Sequence, residues 1–181
     1  MSLKYKLSLL PKSSEGHWTI SHRNIIEYLK KLHIKNMLEI GFNTGFSATM
    51  FLELLHLNNF YSIDIGIHNH IDPLYKRFKN IYGNKFHSII EDSLNIRNTF
   101  LNNIKYDLIF IDGSHSFKNA LNDFLFCIEN KKTKYILLDD THVNYKGVNL
   151  LVKYININYR NNVNIIKKWN IGTGCILYKI I

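Results

Sequence analysis

The sequence predicts a single domain of doubly wound α/β architecture, and two patterns carry that expectation. Short β-branched or aromatic runs, most closed by acidic residues, alternate with segments of helical period. The last stretch breaks the alternation and reads as two strands around a short glycine-containing turn. At 181 residues, 46% hydrophobic and 20% charged, the chain can bury one such core but not two ordinary ones.

The elements follow in order. Residues 1–11 carry two lysines and a few leucines, with no sustained apolar region or small-residue cleavage site, so they do not read as a signal peptide. Residues 1–20 are expected to form an N-terminal extension of the single 1–181 domain, belonging to a lid or a dimer contact. Ile25, Ile26, Leu29 and Leu32 mark a helix ahead of the first strand, 37–40. Strands at 60–63, 86–90, 106–111 and 135–138 then alternate with helices near 45–57, 73–82, 93–103 and 117–130. The last helix is the clearest, because Phe117, Ala120, Leu121, Phe124, Leu125 and Ile128 recur at spacings of three and four. Strands apolar on both faces imply a parallel sheet with right-handed crossovers. Segments 163–169 and 175–180 flank Asn-Ile-Gly-Thr-Gly at 170–174 and predict an antiparallel hairpin. The expected sheet therefore has seven strands, mostly parallel, with helices on both faces.

Composition narrows the function. No apolar run approaches the ~20 residues of a membrane helix. Cys127 and Cys175 fall on a helix face and a strand, as free buried thiols suited to a reducing cytoplasm. The net charge of +9 invites a nucleic-acid reading, but the lysines are scattered. With only two alanines and an excess of Lys, Asn and Ile, the bias matches A/T-rich coding and a solvated basic surface.

In such a sheet, ligands bind beyond the carboxyl ends of the strands. Those ends present Glu39 and the 41–45 loop, Asp64, Glu91 and Asp92, Asp112, and Asp139 with Asp140. That rim suits a ligand bearing cations and hydroxyls, and disfavours a polyanion. A dinucleotide loop needs glycines where Asn43 and Phe46 stand, which argues against NAD or FAD. Gly41 and Gly45 either serve a tight turn alone or leave room for a smaller group such as an amino-acid carboxylate. Asp64, roughly 20 residues beyond the loop, stands where an acid accepts hydrogen bonds from adenosine ribose hydroxyls; otherwise it is a capping or solvated residue. Asp92 either meets an adenine amino group or N-caps the next helix.

Met-Leu-Glu-Ile-Gly-Phe-Asn-Thr-Gly-Phe-Ser at 37–47, with Asp-Leu-Ile-Phe-Ile-Asp-Gly-Ser-His at 107–115, resembles class I S-adenosylmethionine methyltransferases. The resemblance is narrower to the metal-dependent O-methyltransferases that include macrolide-sugar and, more distantly, catechol enzymes, and it covers roughly 15–181. It implies a Rossmann-like fold with the methionine moiety at Glu39, Gly41, Asn43, Gly45 and Ser47. It further implies ribose at Asp64, adenine at Asp92 and Ser93, cofactor contact at Asp112, and a divalent metal, expected to be Mg2+, on Asp112, Asp139 and Asp140. By the same resemblance His115, three residues beyond Asp112, is the catalytic base, with Asp112 its catalytic partner at the metal.

Chemistry supports a cation independently. Ends of neighbouring strands lie ~5 Å apart, and carboxylates that close must take up a proton or gain a cation. Mg2+ suits all-oxygen sites and keeps waters that a hydroxyl can displace. The competing reading makes these acids helix caps. Which of Asp139 and Asp140 would ligate stays open, since adjacent strand residues point to opposite faces. A histidine takes a hydroxyl proton near neutral pH, so His115 is either the base or an ordinary loop residue. His142 is a ligand, a base or neither. His17, His22, His33, His56, His68, His70 and His87 read as surface or core residues. Trp18, near where lids arise in this family, and Trp169 read as packing residues.

The expected activity is therefore O-methylation of a small hydroxylated substrate, such as a sugar or nucleotide-sugar. Two rivals stand beside it: an RNA methyltransferase using the basic surface, and a non-catalytic cofactor-binding subunit. Neither an Asn-Pro-Pro-Tyr loop nor a Lys-Asp-Lys-Glu set marks the first. The short chain leaves little room for a lid, so the acceptor pocket is either open or completed by a second subunit of a homo-oligomer.

Overall fold

The computed structural model describes residues 2–11, 22–130, 132–142 and 145–181. Its sheet has seven strands: β1 Asn36–Ile40, β2 Asn59–Asp64, β3 Phe86–Ile90, β4 Leu108–Ile111, β5 Tyr135–Leu138, β6 Val163–Trp169 and β7 Cys175–Ile180. They lie in the order β3-β2-β1-β4-β5-β7-β6. The first five pair in parallel, and β7 inserts antiparallel between β5 and β6. The doubly wound expectation and the terminal hairpin are both borne out. The order reverses between β1 and β4, which opens a crevice at their carboxyl ends.

Side-chain alternation builds two cores. Met37, Phe60, Phe86 and Phe110 face one side, where they meet α2 Arg23–Lys30, α3 Phe46–Leu54 and α4 Ile71–Tyr82. Leu38, Ile63, Ile109 and Ile136 face the other, under α5 Phe117–Glu129 and α6 Lys146–Asn158. Both faces of the central strands β4 and β5 are thereby covered, which is why they read as continuous apolar runs. A short N-terminal helix, α1 Leu3–Ser8, is tied to α3 by an ion pair of Lys6 with Glu53 at 2.6 Å. No helix among the described residues is long and apolar enough to cross a membrane.

Two elements differ from expectation. Segment 93–103 is a pair of 3-10 turns, Ser93–Asn98 and Phe100–Asn103, and not an α-helix. The side chains of Asp92 and Thr99 each accept the backbone N–H two residues on, which starts a fresh turn at each point. Helix α6 was not anticipated. Its buried positions, Val148, Leu151 and Ile155, have helical spacing, but asparagines and β-branched residues around them obscure it. Cys127 and Cys175 are buried and free, as expected. Trp169 packs edge-on to Tyr28 with centroids 5.5 Å apart; Trp18 and His17 lie outside the described residues.

Candidate functional site

Where β1 ends, Gly41 takes φ +92° and donates its N–H to the Ile63 carbonyl at 2.9 Å. A Cβ there would sit 2.1 Å from the Asp112 carbonyl oxygen, so only glycine lets the loops after β1 and β4 meet. Asn43 also adopts positive φ, +46°, and Gly45, at +73°, starts α3.

This loop is gripped from β2. Asp64 Oδ2 accepts the N–H groups of Phe42 at 2.8 Å and Asn43 at 3.1 Å, and its Oδ1 accepts that of Gly66 at 2.8 Å. Oδ2 is thereby filled, while Oδ1 keeps acceptor capacity for a ligand hydroxyl. Behind the loop, Glu39 is fully buried and accepts the Ser47 hydroxyl at 2.5 Å on Oε1; its Oε2 has no partner among the described residues. Burial pushes the Glu39 carboxyl well above its usual range.

A cavity of about 740 Å3 opens above this rim, large enough for a cofactor and a small acceptor. One end is lined by Asp64, Ile65, Ile67, His68, Asp92 and Ser93. Asp92 both caps the following turn, accepting the Leu94 N–H at 2.9 Å, and faces the cavity, so its two readings are compatible.

The opposite end holds Asp112, His115, Asn119, Asp140 and Tyr145. His115 Nε2 lies 2.5 Å from Asp140 Oδ2. Burial, then the charges of Asp139, Asp140 and Glu39, pushes the Asp112 carboxyl well above its ordinary range. The Tyr145 ring sits 4.5 Å from that of His115. Burial, reinforced by Asp140, Asp139 and Asp112, raises its phenol pKa, so it remains a donor. Gly147 makes this approach feasible, since a Cβ there would lie 2.1 Å from the His115 carbonyl oxygen and 2.6 Å from the Phe117 nitrogen.

The structure thus gathers Gly41, Asn43, Ser47, Asp64, Asp92 and Ser93 at the cavity, with Asp112, His115 and Asp140 at its far end. Glu39 and Gly45 stand just behind. Asp139 is not part of the cavity lining. Its Oδ1 accepts the Asp140 N–H at 2.8 Å, the Cys175 thiol at 3.0 Å and the Thr173 hydroxyl at 3.3 Å, beneath the rim. Adjacent residues do point apart, and Asp140, at φ +57°, is the one that reaches the cavity. Asp112, Asp139 and Asp140, the acids expected to hold a metal, are not grouped as a metal site among the described residues: Asp139 Oδ1 accepts from the fold and Asp140 pairs with His115. His142 is exposed, outside the cavity lining, and its N–H donates to the Thr173 carbonyl at 2.8 Å.

Sequence reasoning missed Ile65, Ile67, His68, Asn119 and Tyr145. The two isoleucines had a signal, apolar side chains directly beyond a strand-end acid. His68 had been expected in core or surface and instead lines the cavity. Tyr145 precedes α6, so the unread helix hid it.

Residues 38–141 match a family model described as a methyltransferase domain. No curated protein matches the sequence. Similar solved structures include a Staphylococcus aureus protein classed as a caffeoyl-CoA O-methyltransferase, with a TM-score of 0.75 and 16% identity over 100% of this chain and 93% of that one. A Bacillus cereus O-methyltransferase in complex with SAH gives 0.73 and 15% over 99% and 89%. TomG from Streptomyces achromogenes, an O-methyltransferase of tomaymycin synthesis in complex with SAM, gives 0.71 and 14% over 98% and 94%. At these identities the likeness speaks for the fold.

Proposed function

Because the chain belongs to the methyltransferase-domain family, whose model spans residues 38–141, we propose that it is an S-adenosylmethionine-dependent O-methyltransferase of a small hydroxylated molecule, with sugars and nucleotide-linked sugars the first acceptors to test. The observation that carries this reading is the grip of Asp64 on the 41–45 loop, at the foot of one continuous acid-rimmed cavity. Asp112, held above its normal range by burial and then by like charges, gains from a ligand that is itself cationic. When bound, S-adenosylmethionine supplies a methyl group on a positively charged sulfur.

Glu39 and Ser47, behind the glycine loop, orient the amino-acid end. Asp64 accepts from the ribose, and Asp92 and Ser93 face the adenine. At the other end the paired His115 and Asp140 receive the acceptor's proton, and Asp140 stabilises the imidazolium that results. Tyr145 walls the acceptor beside His115 and offers a hydroxyl hydrogen. This reading moves the proton through His115 and Asp140, and assigns no step to a divalent cation. We place the enzyme in the cytoplasm, where Cys127 and Cys175 stay reduced.

Calorimetry with S-adenosylhomocysteine, followed by an acceptor screen with and without EDTA, tests the proposal. Binding, and turnover that survives EDTA, are expected. No heat at millimolar ligand overturns the cofactor assignment. Turnover abolished by EDTA overturns the metal-free proton path.

A further inference from the structure

We infer that Cys175 is a positioning residue: through Asp139, its thiol fixes the backbone turn that brings Asp140 to His115. The inference rests on the proton path proposed above, in which Asp140 pairs with His115.

Asp140 takes φ +57°, a conformation that a residue other than glycine keeps where its surroundings over-determine it. Here the surroundings come from the far end of the chain. Because β7 pairs antiparallel with β5, the 170–174 turn and the first residue of β7 lie against the loop that leaves β5. Thr141 donates its N–H to the Gly174 carbonyl at 3.0 Å, and His142 donates its own to the Thr173 carbonyl at 2.8 Å. These two bonds hold the loop beyond Asp140.

Asp140 itself is held through Asp139. The Cys175 thiol donates to Asp139 Oδ1 at 3.0 Å, and the Thr173 hydroxyl reaches the same oxygen at 3.3 Å. That oxygen also accepts the Asp140 N–H at 2.8 Å, so the thiol fixes the carboxylate and the carboxylate fixes the Asp140 peptide. Asp140 Oδ2 then stands 2.5 Å from His115 Nε2. Cys175 is buried and free, and a thiol in such surroundings keeps its hydrogen, so it is the donor and Asp139 the acceptor. Without the thiol, the longer Thr173 contact is left to anchor the Asp139 side chain from the hairpin. The carboxylate can then rotate, and the Asp140 peptide loses its fixed acceptor.

The test separates a donor at position 175 from mere bulk. Serine keeps a donor, whereas alanine and valine lack one. Protein labelled with 15N-histidine, in EDTA to keep stray cations off the carboxylates, gives a His115 ring signal identified by its loss in H115Q. That signal reports the hydrogen bonding of the ring nitrogens. C175A and C175V are expected to move it toward its position in D140N, and C175S to leave it near wild type. C175A/D140N should match D140N, because both changes act on one pairing. Thr173 is partly exposed, so T173V tests the same anchor with the fold least at stake, and should shift the signal the same way but less far. With an acceptor from the screen above, C175A should lower kcat by about 10–100-fold, leave acceptor KM and S-adenosylhomocysteine affinity within about twofold, and be restored by C175S to within about threefold of wild type.

Thermal melts confirm that each variant folds; should C175A and C175V not fold, C175S and T173V decide. A packing role for Cys175 predicts the reverse order, with valine or alanine near wild type and serine worst, because serine buries a more polar group. That order, or a His115 signal unmoved in T173V, overturns the inference. Wild type that neither binds S-adenosylhomocysteine nor turns over overturns the proposed function instead, and the histidine signal still decides whether Cys175 places Asp140.

Discussion

Replacing Gly147 with alanine adds one methyl group where the first turn of α6 crosses the His115 segment. On an open helix that change stabilises by about 0.5–1 kcal/mol. Here the methyl would sit 2.1 Å from the His115 carbonyl oxygen and 2.6 Å from the Phe117 nitrogen, both backbone atoms that no rotamer change can move. Non-bonded heavy atoms settle near 3.5–4.0 Å, so the segment must retreat by about 1 Å or more. His115 and Asp140 are only 2.5 Å apart, and a retreat of that size takes their hydrogen bond to the edge of its range. A misplacement of about 1 Å costs on the order of 100-fold in rate. We therefore expect G147A to lower kcat about 100-fold and to leave S-adenosylhomocysteine affinity within about twofold, because Asp64 and the 41–45 loop are untouched. Overpacking of about 1–3 kcal/mol, at about 2–4 °C per kcal/mol for a chain of this size, should lower the melting temperature by several degrees. Steady-state kinetics, calorimetry and a thermal melt read all three. A variant that melts at or above wild type and turns over at the wild-type rate refutes both the close approach and the positioning of His115.

D64N should weaken S-adenosylhomocysteine binding at least about tenfold and destabilise by about 1–3 kcal/mol, because an amide cannot accept from backbone N–H groups on both sides as Asp64 does; calorimetry and denaturant unfolding measure the two effects. H115Q should lower kcat by about 10²–10⁴ with little change in cofactor KM, and its pH–rate profile should lose the limb that belongs to the base. Asp123 holds its proton more tightly folded than unfolded, with a pKa raised from 3.8 to about 6. Its contribution to stability is therefore present in full below pH 4 and lost as pH rises through about 6. Wild-type melting temperature should fall between pH 5 and pH 8 by more than that of D123N, and D123N should melt higher than wild type at pH 8.

The architecture was legible because its determinants are local. A strand covered on both faces is apolar along its length, and the run 135–138 coincides with β5 for that reason. An acid immediately after such a run has to lie at the carboxyl edge, whatever the rest of the chain does. That placed Asp64, Asp92, Asp112 and the pair Asp139 and Asp140 around one crevice. The approach of Gly41 to Asp112 was half legible, since glycine announced a tight turn without naming the backbone it must clear.

Other features depend on contacts between distant segments. Nothing near 139–140 says which carboxylate turns inward; that follows from β7 pairing beside β5, which brings Cys175 and Thr173 to Asp139 and leaves Asp140 for His115. The metal expected on Asp112, Asp139 and Asp140 turns on the same point, because sequence counts carboxylates but does not show which are already engaged. Tyr145 and Gly147 reach His115 only because α6 packs back across the sheet onto α5. Sequence alone thus determined the sheet and its acidic rim, since periodicity and strand-end charge act along the chain. Tertiary structure decided which of those acids accept, pair or stay buried, since hydrogen-bond partners are chosen across it.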